Sequence, residues 1–182
     1  MNNPKRVVLV DAGNRANVYA SVSLTHPNLL KVVGIVDPDP IPRELMRSKY
    51  QIPHENCFEN VSQFVAREKF ADAVINGTMD HLHVETSIPV LEKGYDLLLE
   101  KPFAINETEM NRLCEVAKVH NKKAVIGHVL RYTDFYSAIK HHILSGELGQ
   151  IISIETCEHV NDHHMAVSAP RAYGHSEDFQ SP

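Results

Sequence analysis

The amino-acid sequence predicts an α/β fold, a doubly wound parallel sheet with helices on both faces. Short apolar runs of strand length recur along the 182-residue chain, and stretches with helical periodicity separate them. Strands joined through helices need crossover connections, which make the strands parallel and cover both faces of the sheet. The first five runs also end in polar residues, at the edge where such sheets bind their ligands.

The first half of the chain alternates strands with helices that have clear boundaries. Lys5–Val10 is predicted as a short strand that contains the continuous apolar stretch Val7–Val10. A His-Pro-Asn turn stops the helix predicted at residues 15–24. The second strand covers residues 31–37 and ends before a proline-rich turn. Pro42 suits a first helical turn, since its missing N–H is not needed there, and residues 43–50 are predicted as the next helix.

The second half continues the alternation. Strands are predicted at residues 72–76, 95–99 and 124–127, and helices at residues 61–68, 81–93, 108–120 and 135–144. Gly94 ends one of these helices, and Asn106 or Thr108 caps another. A sixth strand is predicted at residues 151–158, after which few apolar residues follow. We therefore expect a complete domain over residues 1–127 and only the beginning of a second, α+β domain over residues 128–182.

Composition excludes several classes of protein. The net charge is −5, and basic residues are adjacent only at Lys5-Arg6 and Lys122-Lys123, so a nucleic-acid partner is not expected. No apolar run reaches the ~20 residues of a membrane helix, and no signal-peptide core follows the N-terminus. The three cysteines have unrelated spacings, which indicates reduced thiols and a cytoplasmic protein.

The loop after the first strand is a degraded dinucleotide fingerprint. In G-x-G-x-x-G/A, the first glycine makes a tight turn and the second lets the pyrophosphate approach. Gly13 and Ala16 match the second and third positions, but Asp11 stands at the first, where its carboxylate would repel a pyrophosphate. The alternative is that Gly13 only marks a strand-to-helix turn.

Asp37 ends the second strand, 24 residues after Gly13. That spacing is close to the one expected for the acid that binds the adenosine ribose. A carboxylate there accepts from both ribose hydroxyls and repels a 2′-phosphate, which favours NAD over NADP. The alternative is a plain turn formed by Asp37-Pro38-Asp39-Pro40.

Glu100-Lys101-Pro102 follows the fourth strand and places a charged pair at the same edge of the sheet. A lysine held beside a nicotinamide can hydrogen-bond a substrate hydroxyl and share in moving its proton. The alternative is a surface ion pair next to a turn.

Together these segments resemble the glucose–fructose oxidoreductase / inositol dehydrogenase / rhizopine catabolism (Gfo/Idh/MocA) family of NAD(P)-dependent oxidoreductases. Four segments carry the resemblance, in the order of the family: residues 11–16, 78–83, 100–102, and 128–132 with 144–149. They are similar to the family's G-x-G-x-R-G loop, its T-P-x-x-x-H with Met79 in place of the proline, its E-K-P, and the segment that enters the second domain. The likeness covers about residues 5–160.

The resemblance implies a Rossmann-like dinucleotide-binding domain over residues 1–127, and a crossover helix, first strand and tail of a truncated substrate domain over residues 128–182. The implied cofactor-binding residues are Asp11, Ala12, Gly13, Asn14, Arg15, Asp37, Thr78, His83, Glu100, Lys101 and Pro102. Gly13, Asn14 and Arg15 would approach the pyrophosphate. Thr78 and His83 would line the cofactor groove. Lys101 is the implied catalytic residue, in contact with the substrate hydroxyl.

The resulting functional hypothesis is the cofactor-binding portion of an NAD(P)-dependent oxidoreductase that acts on a sugar, polyol or related hydroxyl by hydride transfer. Family members continue into a sheet domain that completes catalysis, so weak or absent turnover is expected from this chain alone. One alternative is an NAD-dependent glycosidase of the same family. The other is a non-catalytic nucleotide-binding or interaction module, which Asp11 favours.

Two further expectations concern metals and assembly. The 12 histidines do not combine with cysteine or glutamate in a zinc-binding spacing, so no metal site is expected. Tyr132, Phe135 and Tyr136 are predicted to pack where the first domain meets the second. An apolar patch left there without a partner favours a homo-oligomer.

Overall fold

The computed structural model describes residues 3–157 and residue 159. It contains a six-stranded, all-parallel sheet with the order β3-β2-β1-β4-β5-β6. The strands are β1 Lys5–Val10, β2 Leu30–Val36, β3 Cys57–Phe58, β4 Ala73–Asn76, β5 Asp96–Leu99 and β6 Ala124–Ile126. This is the strand order of the doubly wound dinucleotide-binding fold, and the predicted fold class is confirmed.

Seven α-helices accompany these strands within the described residues. They are α1 Asn14–Ala20, α2 Val22–Thr25, α3 Pro40–Tyr50, α4 Val61–Ala66, α5 His83–Glu92, α6 Glu107–Val119 and α7 Asp134–Leu144. Local chemistry sets their first residues. The side chain of Asp39 caps α3 by accepting from the N–H of Ile41, and Asn106 caps α6 by accepting from the N–H of Glu109. Of the two caps that the sequence left open, Asn106 and Thr108, the structure has Asn106.

The core lies on both faces of the sheet because alternate residues of a strand point to opposite sides. In β1, Val8 and Val10 pack into one cluster, with buried residues of α4, α5 and α6. Val7 and Leu9 pack into the other, with buried residues of α3 and the end of α1. Four consecutive buried residues are the pattern of a strand covered on both faces.

The strand order reverses direction at β1, which pairs with β2 on one side and with β4 on the other. The connections after β1 and after β4 therefore leave the sheet in opposite directions. A crevice opens there at the carboxyl ends of the strands, where doubly wound sheets bind ligands. The predicted site residues come from turns at this edge.

Two predicted elements differ from the structure in more than their bounds, and one observed strand was not predicted. The helix predicted at residues 15–24 is two helices, α1 and α2, joined at Ser21. β3 was not predicted, because two residues give no periodicity to detect. The strand predicted at residues 151–158 is wrong over residues 151–157, which form no strand, and residue 158 lies outside the described residues. An apolar run becomes a strand only where it pairs, and no described residue pairs with this one.

The chain divides into two units, with the boundary between residues 127 and 128. In the described part of the second unit, Thr133 caps α7 through its side chain, and His142 lies 2.6 Å from the carboxylate of Glu147.

Among residues 3–157 and 159, no helix has both the length and the apolar character that a membrane span requires.

Candidate functional site

The turn between β1 and α1 consists of Asp11, Ala12 and Gly13, and is called here the β1–α1 turn. The N–H of Asp11 donates to the carbonyl of Val36 at 2.9 Å, so the turn begins while still attached to β2. The backbone of Asp11 has φ 91°, a left-handed conformation that favours glycine. A non-glycine residue in a sparsely populated region of this kind costs about 1–3 kcal/mol.

The carboxylate of Asp11 lies against the same turn. Its Oδ2 accepts from the N–H of Gly13 at 2.9 Å. Gly13 is the N-cap of α1, and a β-carbon built on it would stand only 2.6 Å from that oxygen. The negative charge thus sits at the end of α1 where the helix dipole is positive. Asn14 and Arg15, both solvent-exposed, begin the helix beyond it.

Asp37 follows β2 directly and is buried, with 7% of its surface exposed. Its Oδ2 accepts from the N–H of Ala12 at 2.7 Å, and its Oδ1 accepts from the N–H of Asp39 at 2.8 Å. Arg43 donates to the carbonyl of Asp37. The predicted ribose-binding acid therefore joins the β1–α1 turn to the turn after β2.

Asn76 is the last residue of β4 and fixes the loop that follows. Its Nδ2 donates to Thr86 and Ser87 of α5, at 2.8 and 2.9 Å. Its Oδ1 accepts from the hydroxyl of Thr78 at 2.8 Å. Thr78 is half-buried at the carboxyl edge of the sheet, where the sequence placed it.

His83 is the first residue of α5 and is fully buried. Its Nδ1 lies 2.6 Å from the carbonyl oxygen of Pro102, and its Nε2 lies 2.9 Å from that of Thr78. The ring thus has no exposed surface with which to line a groove. Instead it ties the loop after β4 to the turn after β5.

The Glu100-Lys101-Pro102 turn contains a cis peptide bond between its last two residues. Glu100 is buried and Lys101 is exposed. One carboxylate oxygen of Glu100, Oε1, accepts from the hydroxyl of Tyr19 at 2.5 Å and lies 3.5 Å from Nε of Arg15. The other, Oε2, accepts from the N–H of Lys101 at 3.1 Å. Glu100 therefore attaches this turn to α1.

Tyr19 is the site residue that sequence reasoning missed. Burial raises its pKa from 10.0 to about 12, assisted by the hydrogen bond to Glu100 and by its negative charge, while Arg15 acts in the opposite direction. The phenol therefore keeps its proton and donates to the carboxylate. Tyr19 lies 81 residues from Glu100, and only the fold brings the two together.

Metal ligands do not converge in the part of the chain that the structure describes, where no group of three or more His, Cys, Asp or Glu residues is placed to hold an ion. His81 is exposed and His83 is buried, so the two do not share a face. His163 and His164 lie outside the described residues.

The sequence matches a known family. A model of the oxidoreductase family with an NAD-binding Rossmann fold, GFO_IDH_MocA, matches residues 5–128. The chain belongs to this family. The match covers about two thirds of the chain, and it includes every candidate site residue from the β1–α1 turn to the Glu100-Lys101-Pro102 turn. The resemblance seen in the sequence is therefore confirmed, and the Gfo/Idh/MocA family binds NAD(P).

Among Gfo/Idh/MocA relatives, glucose-6-phosphate 3-dehydrogenase of Bacillus subtilis is 27% identical over 151 residues, which are 83% of this chain and 41% of the relative. The WlbA dehydrogenase of Bordetella pertussis, crystallised with NADH and UDP-GlcNAcA, superposes with a TM-score of 0.76 at 21% identity, covering 82% of this chain and 44% of that one. Scyllo-inositol dehydrogenase of Lactobacillus casei, crystallised with NAD(H) and scyllo-inositol, superposes with a TM-score of 0.75 at 20% identity. The superposition covers 82% of this chain and 43% of that one. The chain thus spans less than half of each of these proteins.

Proposed function

We propose that this chain is the cofactor-binding portion of an NAD-dependent oxidoreductase that transfers hydride between a sugar-like or polyol hydroxyl carbon and the nicotinamide. The observation that carries the proposal is the placement of Asp37. Its buried carboxylate ends β2 at the edge where the strand order reverses, and it is bonded to the β1–α1 turn. A dinucleotide lying across that edge would meet this acid with its adenosine ribose.

The residues present fit the nucleoside part of NAD. Each oxygen of Asp37 accepts one backbone N–H and keeps further capacity to accept from a ribose hydroxyl. The same charge opposes a 2′-phosphate, which favours NAD over NADP. At the pyrophosphate, Gly13, Asn14 and Arg15 would make the approach. Asp11 is the residue there that does not fit.

The residues proposed for chemistry lie at the end of β5. NAD, when bound, supplies the hydride acceptor. Lys101 is exposed there, and its ammonium would hydrogen-bond the substrate hydroxyl and help to move its proton. Glu100 and Pro102 hold the turn, through the bonds to Tyr19 and His83 respectively. We expect turnover by this chain alone to be weak or absent.

A cytoplasmic homo-oligomer is part of the same proposal. Tyr132 and Phe135 in the second unit are 76% and 68% exposed, and association between copies would cover such apolar side chains. Sedimentation at increasing protein concentration checks this. A single monomeric species at all concentrations would rule out the oligomer.

The proposal is tested by titrating the chain with NADH and NADPH in a calorimeter. We expect a preference for NADH that shrinks in Asp37→Asn, because the charge that opposes the 2′-phosphate is then gone. Asp39→Asn is the matched control, since it removes a carboxylate from the same turn while keeping a residue that caps α3. Failure of the chain and of its Asp11→Gly variant to bind either dinucleotide at millimolar concentration would refute the proposal.

A second candidate, a non-catalytic nucleotide-binding or interaction module, is favoured by one observation. That observation is the Asp11 carboxylate on the N–H of Gly13. Tight NADH binding by the unmodified chain would argue against the interaction module and would leave the nucleotide-binding module standing.

A further inference from the structure

The strongest departure of this site from its family lies in the β1–α1 turn. We infer that Asp11 is an internal competitor for the pyrophosphate of the cofactor. It sets the preference of the site between nucleotides and an uncharged nucleoside. This inference rests on the proposed function. It adds that the charged half of NAD is opposed by the chain itself, while the adenosine half is accepted.

The first step is occupancy. In a turn of this kind, backbone N–H groups at the start of the first helix are the donors that meet phosphate oxygens. Here the N–H of Gly13 already donates to Oδ2 of Asp11 at 2.9 Å. The preceding N–H, of Ala12, donates to Asp37 at 2.7 Å. Two successive donors of the turn therefore have carboxylate acceptors, and a phosphate oxygen reaches Gly13 only if Asp11 withdraws.

The second step is backbone conformation. Asp11 keeps the left-handed φ of 91° that the glycine at this fingerprint position makes possible. The turn thus retains the path of a dinucleotide-binding loop, and the difference lies in the added side chain. Replacement of that side chain is therefore expected to restore a turn that the rest of the fold already supports.

The third step is charge. A pyrophosphate beside Asp11 would place like charges within a few ångströms of each other, at a partly buried turn where solvent screens them poorly. Arg15, the cation in the first turn of α1, lies 3.5 Å from Glu100, so its charge is shared with another carboxylate. Adenosine carries no such charge, so its binding beside Asp37 does not require Asp11 to move.

The test uses the full 182-residue chain, with calorimetric dissociation constants for NADH, ADP and adenosine. In Asp11→Gly we expect NADH and ADP to bind at least ~10-fold more tightly and adenosine to bind within about twofold of the unmodified chain. In Asp11→Asn we expect an intermediate gain. The amide oxygen still accepts from the N–H of Gly13, but the charge is gone, and asparagine tolerates a positive φ.

The control is Asp39→Asn, which makes the same change of net charge at a neighbouring turn and is expected to leave all three constants unchanged. Urea unfolding of each variant shows that the fold is kept. Equal NADH affinity in the unmodified chain and Asp11→Gly overturns the inference and leaves the proposed function standing. An equal gain for adenosine and NADH also overturns it, since the turn rather than the charge is then responsible. Adenosine and NADH both failing to bind any variant overturns the inference and the proposed function together.

Discussion

His83 meets a carbonyl oxygen with each ring nitrogen, that of Pro102 at 2.6 Å and that of Thr78 at 2.9 Å. Because the ring is fully buried, its removal leaves a cavity and takes away the ring nitrogens that these two carbonyl oxygens face. We expect His83→Ala to lower the free energy of unfolding by about 2–4 kcal/mol. Urea unfolding at neutral pH measures it.

His81→Ala is the matched control for that prediction. It removes an exposed histidine two residues away, and we expect a change within about 0.5 kcal/mol. Equal effects of the two substitutions would mean that the bonds of His83 do not stabilise the two loops.

Tyr19 predicts a loss of stability in alkaline solution. Its pKa in the folded chain is raised to about 12, against 10.0 for an ordinary tyrosine. Below pH 10 the phenol is protonated in both the folded and the unfolded chain, and its contribution to the free energy of unfolding is fully present. As the pH rises from 10 towards 12, unfolding releases the phenol proton, so the free energy of unfolding falls. Tyr19→Phe is expected to make that decline shallower when unfolding is followed across this window.

Two other tyrosines keep part of the decline, because burial also raises the pKa of Tyr50 and of Tyr95. Tyr132→Phe, at a side chain that is 76% exposed, is the control for removal of a tyrosine hydroxyl. An identical decline in the chain with and without the Tyr19 hydroxyl would contradict the prediction.

Some of these residues could be found from the sequence and others could not, for a physical reason. Asp37 ends one predicted strand and Glu100 directly follows another, and parallel strands bring such residues together at the carboxyl edge of the sheet. Tyr19 carries no such signal, because its position matters only through a contact formed in the folded chain. The burial of His83 also could not be predicted, since a histidine in the loop after a strand can either line a ligand groove or hold two loops together.

At the scale of elements, α1, β5 and the end of β6 meet at Gly127. A β-carbon on this glycine would lie 2.6 Å from the hydroxyl oxygen of Tyr19 and 3.1 Å from Oε1 of Glu100. Gly127→Ala therefore forces apart the groups that attach α1 to β5. We expect a loss of about 1–3 kcal/mol in the free energy of unfolding.

A double-mutant cycle with Tyr19→Phe assigns this loss to the contact. Phenylalanine lacks the nearest oxygen, so Gly127→Ala should cost less in that background, with a coupling of about 0.5–3 kcal/mol. Additive losses would mean that the strain arises elsewhere, for example in the backbone of the strand.

The elements themselves were predictable to the extent that their signals are local. β1 was predicted with its observed bounds because its apolar run is continuous and ends at a charged residue. β3 was missed because its two residues are defined only by pairing with β2. The apolar run at residues 151–157 shows the converse, since strand-like composition without a pairing partner gives no strand.

At the scale of the whole molecule, the distribution of the core predicts which part of the chain folds independently. Every residue of the two hydrophobic clusters lies between Val7 and Ile126. All six strands of the sheet also lie within the first unit. Burial of apolar side chains is the main source of folding free energy, and among the described residues every buried apolar side chain lies before residue 128.

We therefore expect a fragment of residues 1–127 to unfold cooperatively in urea, with a midpoint close to that of the full chain. A shorter fragment of residues 1–100 is the control. It lacks α6 and β6, and with them the buried Leu113 and Ala117, so one face of the sheet loses its cover. That fragment should bind a hydrophobic dye and show no cooperative transition. If residues 1–127 behaved in the same way while the full chain unfolded cooperatively, stability would depend on the second unit, and the independence of the first unit would be disproved.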